Sequence, residues 1–304
     1  MFRWLSSALL AFHLCFAIAA GAQERPVMAF IYHSDHEAPL PGEPLSERDK
    51  YTLEVLREAL ERTRDAYGDF TLAPSPVMHE KYRPAALEHG EEGINISVFP
   101  ARSGLSDKII PVRIPLHRGL VGYRLLTIRA ADQPRFDKIR TAAELKGVRL
   151  GLLGSWTDVE ILQRDGLLVE TGASLEGLFH MLDAKRFDAL SNAVPGAEDL
   201  FLRSRRTFPG LAIEKGLLLH YPTPFYFWFR NTEDGRMRAE RVRSGLQSMV
   251  KDGTVKTLFY KHFGEILKRL RFSRRRVIEL PNPLLDGQDP LDDPALWYRP
   301  GEAP

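Results

Sequence analysis

Two runs, Leu120-Val121-Gly122-Tyr123-Arg124-Leu125-Leu126-Thr127-Ile128 and Tyr221-Pro222-Thr223-Pro224-Phe225-Tyr226-Phe227-Trp228-Phe229, decide the fold. Each reads as an extended apolar segment long enough to leave one packed layer and enter another. Between them lies a full alternation of helix and strand patterns. Strands are expected over 148–153, 168–170, 187–190 and 212–219, and helices over 158–164, 174–185 and 195–203. The helix over 174–185 turns Leu175, Leu178, Phe179 and Leu182 to one face. A further helix starts at Thr141, with Glu144 at the capping-box spacing, and Gly147 stops it.

A second alternation flanks the two runs. Upstream, 26–33, 70–73, 94–99 and 108–115 read as strands, with helices over 49–64 and 82–89; Leu53, Leu56 and Leu60 share one face of the first. Downstream, 238–251 and 254–263 read as amphipathic helices. Alternating strands and helices imply an open α/β sheet. The interrupted order implies two such sheets, joined by two strands that act as a hinge. The expected division is a first lobe from 23–125 and 226–275, a second lobe from 126–225, and a tail over 276–304. The tail is rich in Pro and Asp and is expected to be a wrapping arm or partly disordered.

The N-terminus reads as an export signal: Arg3, an apolar run over 9–20 broken by His13, then Ala20-Gly21-Ala22 as a small-residue cleavage site. The run is too short for a stable membrane anchor, so residues 1–22 are expected to be removed and the mature protein to be periplasmic and monomeric. Cys15, the chain's single cysteine, lies in that segment, so the mature chain needs no disulfide. With 42 basic and 40 acidic residues, the charge balance gives no support for a nucleic-acid partner. No long apolar run follows the signal, which argues against membrane insertion. Lys268, Arg269, Arg271, Arg274, Arg275 and Arg276 form a local basic cluster, read as a solvated helix end in preference to an anion-docking surface.

Ligands of open α/β sheets sit beyond the carboxyl ends of the strands. That rule selects four loops and their residues: Tyr32 and His33; Ser97, Phe99 and Arg102; Ser155, Trp156 and Thr157; and Ser191 with Asn192. Aromatic walls and the Arg102 guanidinium suit a planar or carboxylated ligand. The hydroxyls of Ser155 and Thr157 suit an anion, which Asp158 would repel; Thr157 or Asp158 also reads as a helix N-cap. Tyr226 and Trp228 read as hinge packing. His33-Ser34-Asp35-His36-Glu37 is rich in metal-ligand types, but its prolines and the lack of an i, i+4 histidine pair mark a polar loop, so no metal is expected. No cofactor is expected either. The chain has no G-x-S-x-G elbow, catalytic cysteine, G-x-x-x-x-G-K loop or H-E-x-x-H, so it reads as a binding protein and not an enzyme. A secreted hydrolase or lyase on a similar scaffold, and a protein-interaction module with a reused cleft, are the alternatives.

Four segments carry a family resemblance. Lys108-Ile109-Ile110-Pro111-Val112-Arg113-Ile114-Pro115-Leu116 precedes the first crossing. Leu145-Lys146-Gly147-Val148-Arg149-Leu150-Gly151 opens the second lobe. Met181-Leu182-Asp183-Ala184-Lys185-Arg186-Phe187-Asp188-Ala189 joins a helix to a strand, and Lys251-Asp252-Gly253-Thr254 is a late turn before Leu258. In this order they resemble the type II periplasmic solute-binding family, in the branch of family 3 amino-acid-binding proteins of ABC transporters. The resemblance spans about 27–263. It implies the two-lobed type II periplasmic-binding-protein fold, hinge closure on a small ligand, and an ABC-transporter permease or a sensor protein as partner. The family grips a ligand carboxylate with an arginine where this chain has Ser106, flanked by Arg102 and Lys108. Its acid for the α-amino group has Asn192 nearby, with Glu198 further on. The expected ligand is therefore a small polar solute, with free α-amino acids disfavoured.

Overall fold

The structure, a computed structural model, describes residues 26–32, 45–76, 78 and 80–302. The candidate signal segment, Cys15, His33 and the 33–37 loop lie outside the described residues. The chain begins with β1 (Met28–Tyr32), α1 (Glu47–Glu61), α2 (Arg64–Tyr67), β2 (Phe70–Pro74), α3 (Arg83–His89), β3 (Ser97–Pro100) and β4 (Ile109–Leu116). It continues through β5 (Tyr123–Arg129), α4 (Gln133–Phe136), α5 (Ala142–Leu145), β6 (Arg149–Leu153), α6 (Asp158–Arg164), β7 (Leu168–Gly172), α7 (Leu175–Asp183) and β8 (Ala189–Ala193). Then come α8 (Val194–Ser204), β9 (Leu211–Ile213), β10 (Leu217–His220), β11 (Phe225–Arg230), α9 (Glu233–Lys251), α10 (Thr254–Arg269) and β12 (Arg276–Glu279).

Helix starts follow local chemistry. The hydroxyls of Ser46, Ser174 and Thr232 accept from the backbone N–H three residues on, and Thr141 with Glu144 forms a complete capping box.

The first lobe is built on β1 paired parallel with β2, and on the antiparallel order β3-β11-β4. A bridge from Tyr32 to Ile96 links the two parts. β11 is central and covered on both faces, which explains its unbroken aromatic run. Phe225, Phe227 and Phe229 enter the core under α1, α9 and α10, while Tyr226 and Trp228 enter the core under α3. Each fully buried side chain of this size contributes about 1.5–3 kcal/mol.

The second lobe has the strand order β12-β10-β5-β8-β6-β7, with β9 also pairing β5. Its two faces carry separate cores, one around Leu150, Leu152, Ile161 and Leu162, the other around Leu178, Phe179 and Leu182. A Cβ at Gly151 would sit 2.2 Å from the Phe187 ring, so β6 passes Phe187 only because it carries no side chain there.

Two expectations are corrected at the hinge. Residues 120–128 do not form one strand: His117–Gly122 is a tight turn in which His117, Arg118 and Gly119 have φ of 57°, 47° and 72°. The expected strand over 212–219 is two strands, β9 and β10. Buried Glu214 separates them, its carboxylate accepting from the Gly216 and Leu217 N–H groups and from Gln133.

The outward and return passages, 117–122 and 221–224, run side by side, with Tyr221 N–H donating to the Gly122 carbonyl at 3.2 Å. The chain crosses again after α10, when β12 joins the second sheet beside β10. Beyond it the tail is held to the first lobe and to the hinge. Arg113 pairs with Asp286 and Asp289, Arg118 with Glu302, and Tyr298 N–H donates to the Arg118 carbonyl.

Candidate functional site

β3 and β6 both end toward the gap between the lobes, and the loops that follow them face each other. Together they enclose a cavity of about 290 Å³. The first lobe supplies Lys81, Pro84, Phe99, Pro100 and Arg102 to its wall. The second lobe supplies Gly154, Ser155, Trp156, Thr157, Val159, Glu160 and Gln163.

Each wall is fixed from behind. Phe99 lies flat on Trp228, with ring centroids 4.8 Å apart and planes 9° from parallel. The Trp228 indole donates to the Phe99 carbonyl at 3.0 Å. Trp228 therefore backs the aromatic wall, and Tyr226, whose hydroxyl donates to Asp289 at 2.7 Å, anchors the tail. Lys81 belongs to the helical turn Glu80–Tyr82. That turn is held over β3 by buried Arg83, which donates to the Val98 carbonyl at 2.9 Å.

On the opposite wall, Thr157 has helical backbone angles and its hydroxyl makes no cap bond. Among the described residues the side chains of Ser155, Trp156 and Thr157 have no hydrogen-bond partner, and neither Lys81 nor Arg102 has an ion-pair partner. Glu160, the acid on this wall, is paired with Arg164 at 2.7 Å.

Asp158 does not line the cavity. Its carboxylate turns into the hinge, where it accepts from the Tyr221 hydroxyl at 2.5 Å and pairs with Arg124. The Arg124 guanidinium also lies 5.1 Å from the centre of the Tyr221 ring. Burial pushes the Tyr221 hydroxyl well above the usual phenol range, with the Arg124 charge pulling against it. Asp158 is thus neither a helix cap nor a free charge facing the cleft. What remains is an aromatic wall, two available hydroxyls and two cations with no carboxylate partner among the described residues, Lys81 lying over the Tyr82 ring at 4.8 Å; the set suits a small ligand with an anionic group.

The candidate residues separate into groups. Phe99, Arg102, Ser155, Trp156 and Thr157 meet in the cavity. Tyr32 and Ser97 instead line a smaller apolar cavity of about 30 Å³ against α1, with Leu53, Leu56 and Phe227. Ser191 and Asn192 lie within β8 and line neither cavity; both are buried, and the Ser191 Oγ and Asn192 Nδ2 make no hydrogen bond among the described residues. His33 is outside the described residues.

Of the other acids and turns weighed from sequence, Glu198 is held by Arg269. Ser106 accepts from Lys108 N–H. Asp188 lies at the far end of β8, accepting from Arg149 N–H and pairing with Arg135. The sequence reading missed Lys81, Pro84, Pro100, Gly154, Val159, Glu160 and Gln163. Glu160 and Gln163 follow Thr157 at steps of three, a spacing that marks one helix face. Lys81 carries no local signal.

Among the described residues no His, Cys, Asp or Glu group of three or more is arranged to hold a metal ion. No helix among them is long and apolar enough to cross a membrane.

No protein-family model matches the chain, and no curated protein matches it. Solved structures do match. One, from work on glutathione import via GshT and the cystine ABC importer TcyBC of Streptococcus mutans, is 13% identical, with a TM-score of 0.55 over 79% of this chain and 96% of that one. A mutant of ArgBP from T. maritima is 15% identical, with a TM-score of 0.51 over 78% of this chain and 95% of that one. A histidine kinase sensor domain with similarity to periplasmic binding proteins is 15% identical, with a TM-score of 0.53 over 79% and 97%.

Proposed function

We propose, from the type II periplasmic-binding-protein fold that this chain has, that it is an extracytoplasmic solute-binding protein and performs no chemistry on its ligand. Its two lobes close about the hinge on a small polar solute bearing an anionic group. The closed form is then presented to a membrane partner, an ABC-transporter permease or a sensor. The observation that carries this reading is the cavity between the lobes, to which each lobe brings polar groups that no carboxylate holds among the described residues: Lys81 and Arg102 from one side, Ser155 and Thr157 from the other.

Closure needs a ligand that binds the closed state better than the open one, and groups contributed by both lobes provide that difference. Phe99 and Trp156 supply apolar contact, and Arg102 a planar fork that matches a carboxylate. The similar structures include an ancestral arginine-binding protein and one from work on glutathione import. The cationic first-lobe wall disfavours a basic ligand such as arginine and favours a carboxylate-rich one.

Thermal unfolding of the mature protein against arginine, glutathione and a panel of mono- and dicarboxylates tests the proposal. A true ligand at 100 times its dissociation constant adds about 2.7 kcal/mol of stability. It is also expected to change the fluorescence of Trp156. The idea fails if no small molecule moves either signal and native mass spectrometry of freshly purified protein shows only the bare chain.

A further inference from the structure

On the second lobe, sharing no residue with the cleft, α4 and the segment 273–276 enclose a concavity of about 620 Å³. Four arginines line it: Arg140, Arg274, Arg275 and Arg276. The backbone holds three of them. Arg140 donates to the Asp137 and Ile139 carbonyls, and Arg276 to the Ile139 carbonyl at 3.1 Å. Arg275, more deeply set, donates to the carbonyls of Leu270, Glu214 and Leu217. Arg274 is exposed, and its side chain has no hydrogen-bond or ion-pair partner among the described residues.

The lining also holds two acids, Asp137 and Glu214. Glu214 is fully buried, and its oxygens are taken by Gly216 N–H, Leu217 N–H and Gln133. Asp137 accepts from the same Gln133 amide at 2.8 Å. Arg275 also pairs with Glu214 at 3.8 Å, so the four guanidinium groups outnumber two committed carboxylates and Arg140, Arg274 and Arg276 carry the excess charge. Carbonyl-bound guanidiniums keep their charge and their remaining N–H groups, so the cavity holds a preset positive field with donors to spare. Its volume falls in the range of small-molecule sites and exceeds what one oxyanion fills.

We propose that this concavity is a binding site for a ligand carrying two or more phosphate groups, with Arg140, Arg274 and Arg276 as its direct contacts. Guanidinium forks match phosphate oxygens in pairs. The chemistry is shared by a free diphosphate and by clustered phosphodiester headgroups of an anionic membrane, so two probes separate the sources. Inorganic pyrophosphate is titrated into the mature protein by calorimetry. Vesicles of phosphatidylglycerol in phosphatidylcholine are tested by co-sedimentation.

Saturable binding of either probe is expected, weakening with salt and falling about tenfold or more in Arg274→Gln and in Arg140→Gln. The Arg274 side chain makes no hydrogen bond or ion pair among the described residues, so the fold of Arg274→Gln is expected to be intact, with circular dichroism as the check. Pyrophosphate binding assigns a soluble ligand and vesicle binding a membrane surface; either supports the site. Absence of binding to both probes, or binding that Arg274→Gln leaves unchanged, overturns it.

Discussion

Changing Asp158 to asparagine keeps the shape of the side chain and removes the charge that Arg124 and Tyr221 share. All three groups are buried: the Arg124 side chain is 5% exposed and that of Asp158 12%, and Tyr221 is fully enclosed. Arg124 is the second residue of β5 and Tyr221 opens the return passage, so Asp158 ties both hinge passages to the start of α6. Breaking a buried pair by deleting one partner costs about 3–5 kcal/mol, because the other charge is left behind. The amide keeps a neutral hydrogen bond to Tyr221, which places Asp158→Asn near the lower end, about 3 kcal/mol. Tyr221→Phe removes only the hydroxyl and keeps the ring beside Arg124; it is expected to cost about 1.5–3 kcal/mol, the range for hydrogen bonds to charged groups. The double variant should cost less than the two singles together, by about 0.5–3 kcal/mol, since all act on one network. Equilibrium urea unfolding at neutral pH, followed by tryptophan fluorescence and far-ultraviolet circular dichroism, reads all three. An Asp158→Asn protein within about 0.5 kcal/mol of the parent, or strictly additive singles, would refute the buried network.

Gly119→Ala is expected to lower stability by about 1–3 kcal/mol in the same assay, because the new Cβ would sit 2.2 Å from the Trp297 ring at a φ of +72°. His117 is buried, and burial, with Arg48 nearby, lowers its pKa from 6.5 to about 3. Between those values the unfolded chain takes up a proton that the folded one refuses, so stability should fall as pH drops through that window and fall less in His117→Asn, measured as unfolding free energy against pH. Asp252 is held at about 2 against an ordinary 3.8, first by the Thr254 hydroxyl and then by Arg62. Its contribution is present above pH 3.8 and lost as pH falls toward about 2, so Asp252→Asn should weaken the protein at neutral pH and flatten that acid limb. Arg102→Ala should leave unfolding within about 0.5 kcal/mol while weakening an anionic ligand about tenfold or more in a binding titration.

The strands that were legible are those whose neighbours leave one option. β11 sits between β3 and β4 with both faces covered, so aromatic residues on both parities announce a central strand. Capping chemistry made the start of α5 visible, because Thr141 and Glu144 satisfy each other across four residues. The hinge turn was not legible. Gly119 accounts for only one of three consecutive left-handed residues; His117 and Arg118 adopt the same angles with a Cβ to accommodate. They are held there by groups far along the chain: Thr52, whose hydroxyl is 3.0 Å from the His117 ring, and Glu302, which pairs with Arg118. Glu214 reads locally as an ordinary strand residue, yet its carboxylate folds back on two N–H groups and ends β9. The tail shows the same limit, since Arg113 meets Asp286 and Asp289 across more than half the chain.

The cleft divides along the same line. Arg102 and the 155–157 loop follow strand ends, where the topology of an α/β sheet itself places ligand contacts. Lys81 reaches the same cavity only because Arg83 is bonded to a strand that comes later in the chain. Asp158 is the sharper case. Residue type and position make it a negative charge at the mouth of the cleft, opposed to an anionic ligand. The fold brings Arg124 from 34 residues before it and Tyr221 from 63 residues after it, and turns that charge inward. A carboxylate that would have repelled an anion becomes a tie between the hinge passages, and the hydroxyls beside it are left facing Arg102 across the cavity. In this site, then, the sign of the field depends less on which charges the loops contain than on which of them the hinge has already taken up.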